Sequence, residues 1–163
     1  MSEYGVRAAG PEDWPLIVEF NRRLAAETED AELDVDLLTA GVKAALADSA
    51  KAQYFVASTG ETVVGQLMHT WEWSDWRNGM IWWLQSVYVQ PEHRGRGVFR
   101  MLYEHVQQLA ESDPGVVGIR LYIETGNEAA RAAYEKLGMR AGGYNVMQRL
   151  WQGAGSGGDK VEG

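Results

Sequence analysis

The chain has 163 residues, 45% hydrophobic and 23% charged, with 15 basic against 23 acidic side chains and a formal net charge of -8, which reads as one globular domain able to bury a core. Phosphate-backbone binding needs a broad basic face, so this balance excludes nucleic acid as an expected partner. The absence of cysteine removes disulfides, thiolate metal sites and a cysteine nucleophile, and no apolar run resembles a signal peptide or membrane span, so a soluble, cytoplasmic protein is expected.

Tyr4 to Ala8 is a short strand candidate. After Gly10-Pro11, the spacing of Trp14, Ile17, Phe20, Asn21 and Leu24 predicts an amphipathic helix, which the acidic stretch Glu27 to Asp30 is expected to break. Val35, Leu38, Val42 and Leu46 predict a second helix, with Asp34 as its cap. The period then changes to that of strands: Gln53 to Ser58, Val63 to Trp73 and Ile81 to Val89, with Asn78-Gly79 as the hairpin signal between the last two. A helix follows over about residues 98–110, with Val98, Met101, Leu102, Val106 and Leu109 on one face. Val116 to Glu124 is a further strand. Thr125-Gly-Asn-Glu128 fits a capping box with Thr125 as cap, opening a helix with Ala130, Ala133, Tyr134 and Leu137 on its apolar stripe. Tyr144 to Trp151 is the last expected strand. The domain is expected over residues 1–152, with a glycine-rich, disordered tail over 153–163. The element order predicts an α+β fold around a mixed sheet.

PEHRGRGVFRMLYEHV, from Pro91 to Val106, sets Arg94, Arg96 and Arg100 around Gly95 and Gly97 at the mouth of a helix. Positive charge, approachable backbone and a helix N-terminus in one place suit a phosphate ligand. A P-loop is excluded because no Gly-Lys-Ser/Thr follows. A dinucleotide fingerprint is excluded because Arg100 stands where its third glycine belongs.

The pattern V-x-P-x-x-R-G-x-G-V from Val89 to Val98 resembles the acyl-CoA loop of the GNAT superfamily of N-acetyltransferases. The resemblance spans roughly residues 3–150 and includes N-x-x-A-x-x-x-Y-x-K-x-G from Asn127 to Gly138. It departs from the family at Phe99, where Gly or Ala is usual. What the resemblance implies is a GNAT fold, a mixed and mostly antiparallel central sheet flanked by helices, that binds acetyl-CoA. Main-chain amides of Arg94, Gly95, Arg96, Gly97, Val98 and Phe99 would hold its pyrophosphate, arginines including Arg100 would pair with phosphate oxygens, and Val87, Tyr88 and Val89 would pair with pantetheine. Asn127 would contact the cofactor or cap its helix.

The resemblance also implies direct acetyl transfer to a primary amine. Tyr134 would protonate or hydrogen-bond the departing thiolate, or else be a core tyrosine. The strand before the loop offers no carboxylate, so Glu124 and Glu72 are the candidate bases, beside His69 and water. His93 and His105 are not at metal-ligand spacing, and no metal is expected. Trp71, Trp73, Trp76, Trp82 and Trp83 would line an aromatic acceptor pocket, with Glu72 or Asp75 on a cationic amine, or serve as core or homodimer interface. A small-molecule amine is the expected acceptor. A protein lysine or N-terminus, or a degenerate CoA-binding module without turnover, are the alternatives.

Overall fold

The computed structural model describes residues 3–151; the expected tail over 153–163 lies outside them. Five strands form one sheet whose spatial order is the chain order: β1 (Gly5–Ala8), β2 (Gln53–Thr59), β3 (Thr62–Ser74), β4 (Gly79–Val89) and β5 (Val116–Leu121). The first four pair antiparallel. Helices α1 (Trp14–Glu29) and α2 (Val35–Ala47) lie between β1 and β2, α3 (Val98–Ser112) between β4 and β5, and α4 (Glu128–Lys136) after β5. Because α3 carries the chain back along the sheet, β5 joins β4 in parallel. This is the mixed, mostly antiparallel α+β sheet expected.

Alternation along the strands divides the core into two layers. On one face, Phe55, Leu67 and Leu84 pack with Val98, Leu102 and Val106 of α3. On the other, Tyr54 and Met68 pack with Ile17 and Val18 of α1 and Val42 of α2. The α3 stripe continues to Ala110, whereas Leu109, expected on it, is 40% exposed. Phe20 of α1 is completely buried, a burial that contributes about 2 kcal/mol. No helix among the described residues is long and apolar enough to cross a membrane.

Local chemistry explains several boundaries. Asp34 caps α2 as expected, its Oδ1 accepting from the Leu37 amide at 3.0 Å. Asn78 takes the left-handed conformation, with φ 48°, after the turn Asp75–Arg77, which makes the tip of the β3–β4 hairpin. The acidic stretch expected to break α1 is instead its last turn: the Thr28 hydroxyl donates to the Leu24 carbonyl at 2.7 Å, and the helix stops at left-handed Asp30. Asn127, not Thr125, caps α4, its Oδ1 accepting from the Ala130 amide at 3.1 Å.

Two strand expectations are corrected. β5 ends at Leu121 rather than Glu124, because its partner β4 diverges there. Tyr144 to Trp151 forms no strand. Its Tyr144, Val146, Met147 and Trp151 are exposed; alternating side chains define a face but do not supply a hydrogen-bonding edge.

His69 on β3 is only 1% exposed. Its ring stacks on Trp82 at 3.9 Å and meets Trp71 edge-on at 5.0 Å, and its Nδ1 has no hydrogen-bond partner. Burial lowers its pKa from 6.5 to about 4, against a smaller opposing effect of a backbone hydrogen bond at Thr70. The unfolded chain therefore takes up a proton in this window that the folded chain refuses. The stability contributed by neutral His69 is present above pH 6.5 and lost as pH falls towards about 4, by about 3 kcal/mol in all. Thermal melts of a His69→Leu variant should accordingly show a shallower fall of Tm across this acid window than the unaltered protein; parallel curves would refute the assignment.

Candidate active site

The site begins where two strands part. β4 and β5 pair from Met80 and Val116 up to Leu84 and Leu121. Beyond that point β4 runs on to Val89 paired only with β3, while the other chain leaves towards α4. The β3–β4 register passes from Met68 opposite Gln85 to Gln66 opposite Tyr88, so Ser86 and Val87 together face Leu67. That is a β-bulge, which bends its strand and increases local twist. Ser86 sits at φ 53° in the left-handed region. A cavity of about 1210 Å³ opens in the gap, with Gln85 to Val87 on one wall, residues 121–125 on the other, and Phe99 and Tyr134 lining it.

At one end of β4, the turn Pro91–His93 leads into the arginine-glycine loop. Tyr4 Oη and His93 Nδ1 are hydrogen bonded at 2.9 Å. Arg94 Nε donates to the Val89 carbonyl at 2.8 Å, and its Nη2 pairs with Glu27 at 2.7 Å. The guanidinium also lies 5.4 Å from the Tyr88 ring centre. Gly95 and Gly97 have φ of 75° and 82°, and a Cβ added at either would meet no atom within 4 Å. Backbone conformation rather than crowding thus calls for glycine, and the main chain stays open to approach. Gly97 caps α3 without a side-chain bond, leaving the first-turn amides without a side-chain cap. Arg100 pairs with Glu104 at 2.6 Å, whereas Arg96 makes no ion pair among the described residues.

The residues expected to meet a cofactor therefore occupy different settings. Val87 lines the cavity. Tyr88 is buried against Phe20, with ring centres 5.1 Å apart, and the Val89 carbonyl is held by Arg94. Val98 is buried in the core. Phe99, the bulky departure from the family pattern, packs against the α3-side core and meets Tyr134 edge-on at 5.3 Å. Asn127 caps α4 and also lines the cavity.

Half-buried Tyr134 lines the cavity from α4. Burial, with a smaller contribution from Tyr103, pushes its pKa from 10.0 up to about 12, so it remains a neutral phenol throughout the physiological range. Glu124 is exposed on the cavity wall. Glu72 does not line the cavity; it accepts from Trp83 Nε1 at 3.1 Å and from Arg120 Nη1 at 2.8 Å. Asp75 accepts from the Trp76 amide at the hairpin tip. His69 is enclosed by aromatic rings in the core. Among the described residues, no tryptophan lines the cavity. Trp71 and Trp82 pack on His69, Trp83 on Tyr122, and Trp73 and Trp76 are exposed. Sequence reading did not single out Gln66 or Ser86; the sole signal was an amide inside the apolar run Val63–Met68.

Residues 16–139 match the family model described as Acetyltransferase (GNAT) family. The chain belongs to that family. A solved structure described as a possible acetyltransferase from Clostridium difficile 630 superposes with TM-score 0.85 at 44% identity, covering 91% of this chain and 97% of that one. A predicted acetyltransferase from Clostridium acetobutylicum, solved with acetyl-CoA, shares the fold with TM-score 0.75 at 18% identity over 90% of this chain and 96% of that one. The thialysine N-ε-acetyltransferase of Bos taurus is 33% identical over 79 residues, 48% of this chain and 45% of that protein. The chain thus spans somewhat less than half the length of that curated relative.

Arg94 and Arg96 should separate in a stability assay. Arg94→Ala removes the bonds to Val89 and Glu27 and should lower stability by about 1 kcal/mol, the ion pair being largely solvated, or a Tm fall of about 3 °C. Arg96→Ala should leave Tm unchanged, as differential scanning calorimetry would show.

Proposed function

We propose that this GNAT-family protein transfers the acetyl group of acetyl-CoA directly to a primary amine of a small molecule. The observation that carries this reading is the cavity opened by the β4–β5 divergence, with Tyr134 in its wall and an uncapped, arginine-bearing helix N-terminus at the end of β4.

The residues present fit the cofactor. Open space beside Gly95 and Gly97 lets a ligand approach the main chain, and the α3 dipole favours negative charge there. Arg96 supplies a guanidinium not committed to a carboxylate. Acetyl-CoA, when bound, supplies an acyl thioester. On the protein side, the bulged strand at Val87 offers main-chain donors at the cavity wall. Tyr134 holds a proton on its Oη; its raised pKa makes it a poor acid but keeps the phenol neutral, so that it hydrogen-bonds the departing thiolate rather than surrendering the proton outright. As acetyl passes from sulfur to nitrogen, the amine's proton must leave. Glu124, on the cavity wall, is assigned to receive it, directly or through water; Glu72 is already bonded to Arg120 and Trp83. No cysteine is present to form an acyl-cysteine, which supports transfer in a single ternary complex.

The thialysine acetyltransferase relatives, from Bos taurus and Sus scrofa, support a small amine as acceptor. A homodimer would cover the exposed Trp73 and Trp76, 58% and 84% accessible.

Thiol release from acetyl-CoA, followed across a panel of small amines, tests the reading; binding of CoA without turnover on any amine or peptide would leave a non-catalytic module. Tyr134→Phe should lower kcat by about 100-fold with little change in CoA affinity by calorimetry. Arg96→Ala should weaken CoA binding by about tenfold; unchanged affinity would remove the loop from the cofactor site.

A further inference from the structure

The bulge that opens the cavity is held from inside the sheet. Gln66 lies on β3 in the otherwise apolar run Val-Val-Gly-Gln-Leu-Met, with 0% exposure. Its Nε2 donates to the Ser86 carbonyl at 2.9 Å, across the bulge. Since a carbonyl can only accept, this contact fixes which way the Gln66 amide points. Its Oε1, equally buried, has no hydrogen-bond partner.

A half-satisfied buried amide costs more than an apolar side chain of the same size. Gln66 is therefore a poor choice for stability alone. Ser86 presents the complementary oddity. It is a non-glycine residue at φ 53°, a conformation that costs about 1 kcal/mol or more. The one side-chain bond Gln66 makes goes to the carbonyl of that residue. Ser86 and Val87 both line the cavity, so whatever fixes the bulge fixes the main chain shown to a ligand there.

We propose that Gln66 is a positioning residue, whose amide clamps the Ser86 carbonyl and so holds the Val87 main-chain N–H towards the reacting acyl group. The inference rests on the transferase reading for its kinetic consequence, but not for its structural one. Without the clamp, Ser86 relaxes out of the left-handed region and the bulge migrates or flattens. A one-residue change of register turns side chains to the opposite face, and even a displacement of about 1 Å of a group facing the reaction costs about 100-fold in rate.

Gln66→Met and Gln66→Glu test this together. Methionine keeps the volume and removes the donor. It should lower kcat by about 100-fold while weakening CoA affinity by no more than about tenfold, because the glycine loop is untouched and only the Val87 pairing with pantetheine is disturbed. Amide hydrogen exchange at Ser86 and Val87 should accelerate, with the rest of the sheet still protected. Glutamic acid, its pKa raised by burial, keeps an O–H for the Ser86 carbonyl at the acid end of the assay range and loses it on ionisation. The kcat of this variant, taken relative to wild type at each pH, should therefore fall as pH rises. A Gln66→Met protein that loses only Tm, with kcat and Ser86–Val87 exchange unchanged, would overturn the proposal. So would a loss of CoA affinity equal to the loss of kcat. If the methionine variant does not fold, the glutamate variant decides through its pH profile, a flat ratio counting against the clamp. If wild type itself turns over no amine, the transferase reading fails, and exchange at Ser86 and Val87 alone then upholds or rejects the clamp.

Discussion

Two neighbouring strands that cannot stay paired are the constraint on which the rest depends. β4 is hydrogen bonded to β3 along most of its length but to β5 only up to Leu84. The extra residue at Ser86–Val87 bends β4 away. An open sheet of this kind would otherwise present a continuous hydrogen-bonded surface with no room for a ligand. The bulge converts backbone pairing into vacancy, and the large cavity between the strands is the result. Tyr134 and Phe99, from two different helices, close its flank by packing edge to face.

The arginine-glycine loop shows how an acidic protein can hold a local positive island without becoming generally basic. Two of its three arginines are spent internally. Arg94 joins the loop to the end of α1 through Glu27 and to β4 through the Val89 carbonyl, and Arg100 pairs one turn along its own helix. Much of the attraction for an anion is thereby left to oriented amides and to Arg96. Charge counted along the sequence overstates the charge available at the site.

Much of this was legible before any coordinates. The change of hydrophobic period at Gln53, the Asn78-Gly79 turn and the Asp34 cap each encode a local preference, and each is realised. The glycine spacing at Gly95 and Gly97 was informative because only a left-handed backbone demands it. What failed were features that need a partner. Tyr144 to Trp151 alternates like a strand, but pairing requires an available edge. The acidic stretch Glu27 to Asp30 resembled a loop because nothing local shows that Glu27 meets Arg94, 67 positions away. The tryptophan cluster left pocket and core packing open, and Trp71 and Trp82 take the second by burying a histidine. The bulge itself leaves almost no trace, since a serine in a left-handed conformation reads like any other serine.

The identity of spatial and sequential strand order has a kinetic side. β2, β3 and β4 are joined by tight turns, and a meander of this kind can zip from contacts between residues close in the chain. β1 must wait for α1 and α2 to fold back, and the parallel β5 must wait for the whole of α3, each closing a longer loop at greater entropic cost. The three-stranded meander is therefore the natural nucleus, and the cleft between β4 and β5, defined by the late-arriving β5, is among the last parts of the molecule to be built.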